Sequence, residues 1–396
     1  MDKSVHKKLE SNIWKMYLFQ ILNGMFFSIP IIVLFWQENG LSLTEIMILQ
    51  SLFALLIVIL EVPTGYFADN YGRKKSLLVA GIGMTIAIVL YSIGHGFVDF
   101  LFAEVFFAIA ASFASGTTAA LLYDTLQDLG REKEYKKIWG KALYFGTIAL
   151  AVTAIAGSFI ARSELRYAVY ASIPFFALLI PLTLSFYEPR VHRAIAVKNY
   201  FKHISQILKE NMAHNKELRW IIVYSGVIYA FNQSALWLYQ PFFSVSGLDV
   251  AYFGLVFAGF QIVSAFSSKY AHVIEKKLGK KYSLIMLIFL VAGSFFLMNH
   301  FVFLFSFSFI FLQQFVRGFR ATIISDYINK LTSSDVRATV LSVEGLIARL
   351  LYAFIIPFVG LIADAYTVTQ TFFVLGVTTT VAGVVMMIIF KKYRII

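Results

Sequence analysis

The sequence predicts an all-α integral membrane protein whose twelve transmembrane helices form two pseudo-symmetric six-helix bundles. Three observations lead there: long apolar runs separated by charged punctuation, cations gathered on alternate punctuating segments, and a weak repeat between the two halves. Of the 396 residues 59% are hydrophobic and only 14% charged, whereas a soluble domain carries nearer a quarter charged residues. About 20 apolar residues cross the hydrocarbon core as a helix. Reading such runs against the charges gives helices near 13–37, 43–63, 76–97, 98–124, 139–161, 166–187, 218–245, 249–272, 282–298, 301–329, 338–363 and 366–390.

Taken in order, the amino terminus is basic through Lys3, Lys7 and Lys8, and the apolar run from Met16 to Gln37 is too long for a signal-peptide core, so it reads as a retained first helix. Pro63 and Gly65 are expected to end the second helix. A charged loop from Gly65 to Lys75 follows, and Ser76 to Val98 then runs without a charge as the third. The uncharged stretch from Tyr282 to Val316 exceeds one span, and Asn299-His300 divides it. Arg162 and Arg166 are the cations on one side of the predicted membrane, and Arg317, Arg320 and Arg349 lie within spans. Every other Lys and Arg falls in, or at the helix edge beside, a terminus or a connection on the opposite side. The positive-inside rule therefore places both termini in the cytoplasm of a multi-pass plasma (inner) membrane protein. Single cysteines at Ser246 and Ser333 are expected to label from outside and inside.

The net charge of +12 is accounted for by that placement, so nucleic acid is not an expected partner. Cysteine is absent, which removes a disulfide framework and a thiolate metal site. The longest connection divides the chain into an amino-terminal bundle (1–187), a cytoplasmic linker (188–217) and a carboxyl-terminal bundle (218–396). Within the linker Val197, Tyr200, Phe201, Ile204, Ile207, Leu208 and Met212 recur at helical spacing among polar residues, which fits an amphipathic helix on the membrane surface or a solvated linker with chance periodicity. Gly116 and Asp124 match Gly318 and Asp326 at one shared offset, and Gly72-Arg73-Lys74 matches Gly279-Lys280-Lys281 at another. Such repeats suggest two bundles with a solute path between them.

The run Gly65-Tyr66-Phe67-Ala68-Asp69-Asn70-Tyr71-Gly72-Arg73-Lys74-Lys75 resembles the signature loop between helices 2 and 3 of the major facilitator superfamily (MFS): glycine, three residues, aspartate, two residues, glycine, arginine, then paired cations. Asn70 departs from it, standing where that family usually has Arg or Lys. The resemblance implies the MFS fold and a secondary transporter working by alternating access, two bundles rocking about a central site. It also implies that Gly65, Asp69, Gly72, Arg73 and Asp124 form a conformational latch, the aspartate facing the start of helix 11 and the arginine pairing with the acid of helix 4. The bland alternative is a loop anchored at the headgroups.

No catalytic constellation is present: no phosphate-binding glycine loop ending in Lys-Ser or Lys-Thr, no His-Glu-x-x-His, no Gly-x-Ser-x-Gly. Neither enzyme activity nor a cofactor nor a metal is expected. What remains is polar chemistry inside apolar helices, where ionisable groups are costly and are usually paired or functional. Glu104 and Glu344 are the proton-coupling candidates; Glu104 also fits a structural acid bonded to a neighbouring helix. Gln313, Arg317 and Arg320 stand at i, i+4 and i+7 on one face. Glu344 and Arg320 lie at comparable depth, so an ion pair is the first expectation. Arg317 or Arg349 is then left to meet an anionic solute or Glu104. In the resembled family helices 1, 4, 7 and 10 line the cavity, which selects Gln20, Asn23, Tyr224, Tyr229, Asn232, Gln233, Trp237, Gln313 and Gln314. Amides beside aromatics suit an organic solute of mixed polarity.

The function expected is proton-coupled export (antiport) of a small amphipathic organic compound by a monomer in the lipid bilayer. Proton-coupled uptake of an organic anion is the alternative within transport, and a transporter-like sensor or lipid-handling protein is the alternative outside it.

Overall fold

A computed structural model describes residues 2–190, 215–333 and 336–396, and every regular element among them is helical. The chain runs through α1 (Lys3–Asn23), α2 (Ile32–Glu38), α3 (Leu43–Tyr71), α4 (Arg73–Ile93), α5 (Phe97–Ala114), α6 (Thr117–Asp128), α7 (Tyr135–Ala161), α8 (Leu165–Ala177) and α9 (Leu179–Ser185). Then come α10 (Lys216–Ser234), α11 (Tyr239–Val245), α12 (Phe253–His300), α13 (Ile310–Leu331), α14 (Arg337–Ala365) and α15 (Val368–Lys392). Nine helical stretches among the described residues are long and apolar enough to cross a membrane. One of them, Val250–His300, holds two spans on either side of Gly279, and α1 with α2 and α13 supply the other two, so the described residues form a twelve-helix membrane fold. The amphipathic stretch expected between 197 and 212 lies outside the described residues.

Several helix ends differ from the sequence expectation, each for a local reason. Pro63 does not stop α3, which continues to Tyr71. Proline removes one backbone donor and loosens the turn before it. In that turn the Thr64 hydroxyl donates to the Leu60 carbonyl at 2.8 Å and also reaches the Glu61 and Ser112 carbonyls at 3.3 and 3.1 Å, tying α3 to α5. Serine and threonine side chains commonly re-satisfy carbonyls near a proline inside a membrane helix. The expected loop from Gly65 to Lys75 therefore shrinks to one residue, Gly72, whose φ of 107° lies where glycine is favoured. The predicted first, fourth, sixth and seventh helices are each broken. The fourth divides at Ser115-Gly116, and residues 301–309, expected to open the tenth, form a connection and a short 3₁₀ turn before Ile310.

The repeat is visible at the equivalent turn. Gly279 interrupts α12 with φ 73° and ψ 169°, the same backbone region as Gly72 at φ 107° and ψ 149°. The match of Gly116 with Gly318 has no such likeness. Gly116 breaks a helix, whereas Gly318 lies inside continuous α13, packed against the backbone carbonyl of Ser264.

By compactness the chain falls into two units, one of Met1–Gly40, Leu55–Ala196 and Val250–Leu255, the other of Leu41–Ala54, Val197–Asp249 and Val256–Ile396. A single cut in the linker does not reproduce this division, because the first half of α3 groups with the second unit. Its opening N–H groups at Leu43 and Thr44 donate to the Asp364 carboxylate at 3.0 and 2.7 Å, and the Ser51 hydroxyl donates to the Ala353 carbonyl at 2.7 Å. Residues 250–255 group with the first unit, where the Gly254 N–H donates to the Ser158 hydroxyl at 2.7 Å.

Candidate substrate and proton site

In the first unit the turn at Gly72 gathers the residues that the family resemblance selected. Arg73 holds Asp69 at 2.6 Å and Asp124 at 3.4 Å. Glycine has no side chain with which to cap the helix it opens, so the first N–H groups of α4 need an acceptor from elsewhere. Glu188 supplies it: its two oxygens accept from Arg73 N–H at 2.7 Å and Lys74 N–H at 2.8 Å. The positive φ of Gly72 disfavours a side chain here, and a Cβ would also stand 3.0 Å from the Glu188 carboxyl. Beside this, Asn12 donates to the Thr125 hydroxyl and the Tyr187 carbonyl at 3.1 and 2.8 Å. Gly65, by contrast, lies within α3 and takes no part in the turn. Glu188→Ala is expected to lower stability by about 1 kcal/mol, the scale of a lost helix cap, read as a lower Tm in detergent. Glu132→Ala, at an exposed position, should leave Tm unchanged.

Glu104 is buried, with 6% of its surface exposed. The Tyr91 hydroxyl donates to it at 2.6 Å, and the Tyr91 ring packs against Trp36, Phe100 and Phe107. It is therefore an acid bonded to a neighbouring helix inside the first unit.

A polar cluster of the second unit is centred on Arg320. Its guanidinium donates to Glu344 Oε1 at 2.9 Å and to the Ser225 hydroxyl at 2.6 Å, and Ser225 in turn donates to the same carboxylate at 2.5 Å. The Tyr229 ring lies 5.1 Å from the guanidinium carbon, within cation–π range. Tyr352 meets Tyr229 edge-on at 6.3 Å and accepts from the Trp237 indole N–H at 2.7 Å. Helical spacing produces this arrangement: Ser225 and Tyr229 are one turn apart on α10, and Glu344, Ala348 and Tyr352 follow one another along a face of α14. Both charged side chains keep some exposure, 14% for Arg320 and 16% for Glu344. The pair is thus tightly held yet still reachable.

Arg317, one turn earlier on α13, is exposed, and no hydrogen bond or ion pair reaches it among the described residues. A cation inside a membrane-crossing helix is tolerated where water or a polar partner meets it. Arg349 is half-buried and has a partner of its own.

Other predicted cavity residues are used inside the second unit. Tyr224 donates to the Leu284 carbonyl at 2.6 Å and is fully buried. Gln313 accepts from the Tyr239 hydroxyl at 2.6 Å and donates to Ser294 at 2.9 Å, and the Asn232 amide donates to the Gln313 carbonyl at 3.1 Å. Gln314 is 2% exposed. Tyr224, Asn232 and Gln313 thus tie α10, α11 and α13 to their neighbours, while Oε1 of Gln314 is buried without a hydrogen bond among the described residues. Gln20, Asn23 and Gln233 are half-buried. Sequence reasoning missed Glu188, Ser225 and Tyr352. The periodicity of α10 and α14 carried a signal for the last two.

A family model described as Major Facilitator Superfamily matches residues 16–343. An MFS-type transporter of Methanocaldococcus jannaschii is 24% identical over 141 residues, 35% of this chain and 36% of that protein. The MFS-type transporter YxaM of Bacillus subtilis is 24% identical over 255 residues, 61% of each chain. The chain thus spans less than two thirds of the length of these curated relatives. Among solved structures, the nucleoside transporter NupG matches with a TM-score of 0.79 at 16% identity, over 99% of this chain and 100% of that one. A bacterial homolog of the human lysosomal transporter Spinster, inward-facing and unoccupied, matches with a TM-score of 0.73 at 14% identity, over 100% and 97%. At such identities the likeness is one of fold.

Proposed function

Because the chain belongs to the Major Facilitator Superfamily and is a secondary transporter of that family, we propose that it carries a small organic anion with an aromatic or apolar body together with a proton, by alternating access. The observation that carries this reading is the sharing of Arg320 among Glu344, Ser225 and the Tyr229 ring. While Glu344 is ionised it occupies the guanidinium. Protonation removes that competitor, and Arg320 becomes available to an anionic group while Tyr229 and Trp237 offer surfaces for a ring. Exposed Arg317 adds a second positive charge one turn away.

Proton and anion then favour the same state of the site, and linkage makes the coupling reciprocal. The outcome is cotransport, running inward where the outside is more acidic. A cationic solute would instead compete with the proton and give antiport. The export expected from sequence alone therefore yields here to uptake of an organic anion.

The test is uptake into proteoliposomes of a radiolabelled aromatic sulfonate, which stays ionised and does not cross lipid unaided, with uridine as the neutral comparison. Saturable sulfonate uptake that rises with external acidity supports the reading, and uridine uptake without sulfonate uptake sinks it.

We assign both termini to the cytoplasm of the plasma membrane on the distribution of cations. Ser246 is only 7% exposed, so the outward label belongs at Ser163, which is exposed like Ser333. In intact cells a charged maleimide is expected to react with Ser163→Cys and to spare Ser333→Cys; the reverse pattern overturns the orientation.

A further inference from the structure

A cavity of about 580 Å³ opens on the outer surface of the second unit between the part of α12 after Gly279 and α15, lined by Ile285, Phe289, Gly293, Gly383, Ile388 and Lys391. A second cavity of about 420 Å³ shares Phe289, Gly293 and Phe296 with it and continues the groove to His300. Its volume falls within the range of small-molecule sites. From Ile285 to Phe296 the helix rises roughly 16 Å at 1.5 Å per residue, close to the depth of one leaflet of a ~30 Å hydrocarbon core. Nothing stands within 4 Å of where a Gly293 Cβ would lie, so this glycine serves no packing contact and leaves the groove open.

Lipid tails are as apolar as leucine, so the groove alone attracts no particular lipid. Selection has to come from its charged end. Lys391 lines that end in the last turn of α15. Lys281 stands one turn before Ile285, four residues away and so on the same helix face. Both are exposed. Two cations beside a one-leaflet apolar slot complement a phosphate ester attached to an acyl chain.

We propose that this groove is a binding site for an anionic phospholipid of the cation-rich side of the membrane, one acyl chain lying along Phe289 and Gly293 and the phosphate held by Lys391 and Lys281. The site is separate from the Arg320 cluster and does not depend on the transported solute.

Native mass spectrometry of the full chain, with phosphatidylglycerol and phosphatidylcholine added in equal amount, tests it. The wild type is expected to retain phosphatidylglycerol preferentially. Lys281→Gln with Lys391→Gln should weaken that preference roughly fivefold for each lysine removed, from the usual attraction of a lysine to an anionic membrane surface. Gly293→Leu, which fills the slot where no neighbour obstructs it, should reduce retention while both lysines remain. Equal retention of the two lipids by the wild type overturns the proposal. So does undiminished phosphatidylglycerol retention in Gly293→Leu, which would mark surface charge alone, or displacement of the lipid by free glycerol phosphate.

Discussion

Glu344→Gln is expected to abolish proton-driven accumulation while preserving, or tightening, the binding of an aromatic anion at neutral pH. Glutamine keeps the size and one acceptor for Arg320 but carries no charge, so it resembles the protonated acid at every pH. In the wild type, affinity for the anion should depend on pH, because proton and anion favour the same state of the site. In the variant it should be flat and already at its acid value. One pH unit acting through one proton is worth about 1.4 kcal/mol, or roughly tenfold accumulation, and the variant should only equilibrate the anion. Binding measured over a pH series in both proteins, alongside uptake under an imposed gradient, checks both halves. Retained pH dependence in Glu344→Gln would transfer the coupling role to another acid, of which Glu104 is the sequence-based candidate.

Arg320→Ala carries the other large expectation: loss of anion affinity by about 30-fold or more, the scale of truncating one partner of a half-buried charge pair. It also leaves Glu344 ionised with Ser225 as its remaining partner in this cluster, which costs stability. The double variant Arg320→Ala/Glu344→Gln separates these effects. Removing the stranded carboxylate should restore much of the lost Tm and none of the lost binding. Residues in direct contact couple non-additively, and the cycle measures that coupling. Restored binding in the double variant would mean that Arg320 serves only to neutralise Glu344.

How far the fold could be read from residues alone follows from what each feature depends on. Spans and breaks at positive-φ glycines depend on local sequence, and the likeness of Gly72 to Gly279 appeared in both the residue match and the backbone angles. α3 continues through Pro63 inside a packed helix whose next residue, Thr64, bonds to the Ser112 carbonyl of another helix. No local rule reports that. The Arg320–Glu344 pair was legible because equal depth on two helices suffices to suggest it. The cap that Glu188 places on α4 was not, because acceptor and donors are 115 and 114 positions apart in the chain. Gln313 and Tyr224 had the residue types of a solute site and the surroundings of a core. Polarity alone could not separate the two, since a buried amide bonded to Tyr239 and Ser294 reads in sequence like one waiting for a ligand.

The most direct measurement is the direction of proton movement, followed with a pH dye trapped in proteoliposomes, when an aromatic sulfonate is added outside. Cotransport through the shared Arg320 predicts that the lumen acidifies as the anion enters and that Glu344→Gln abolishes this. A lumen that turns alkaline during uptake, or wild-type acidification that persists in Glu344→Gln, contradicts it.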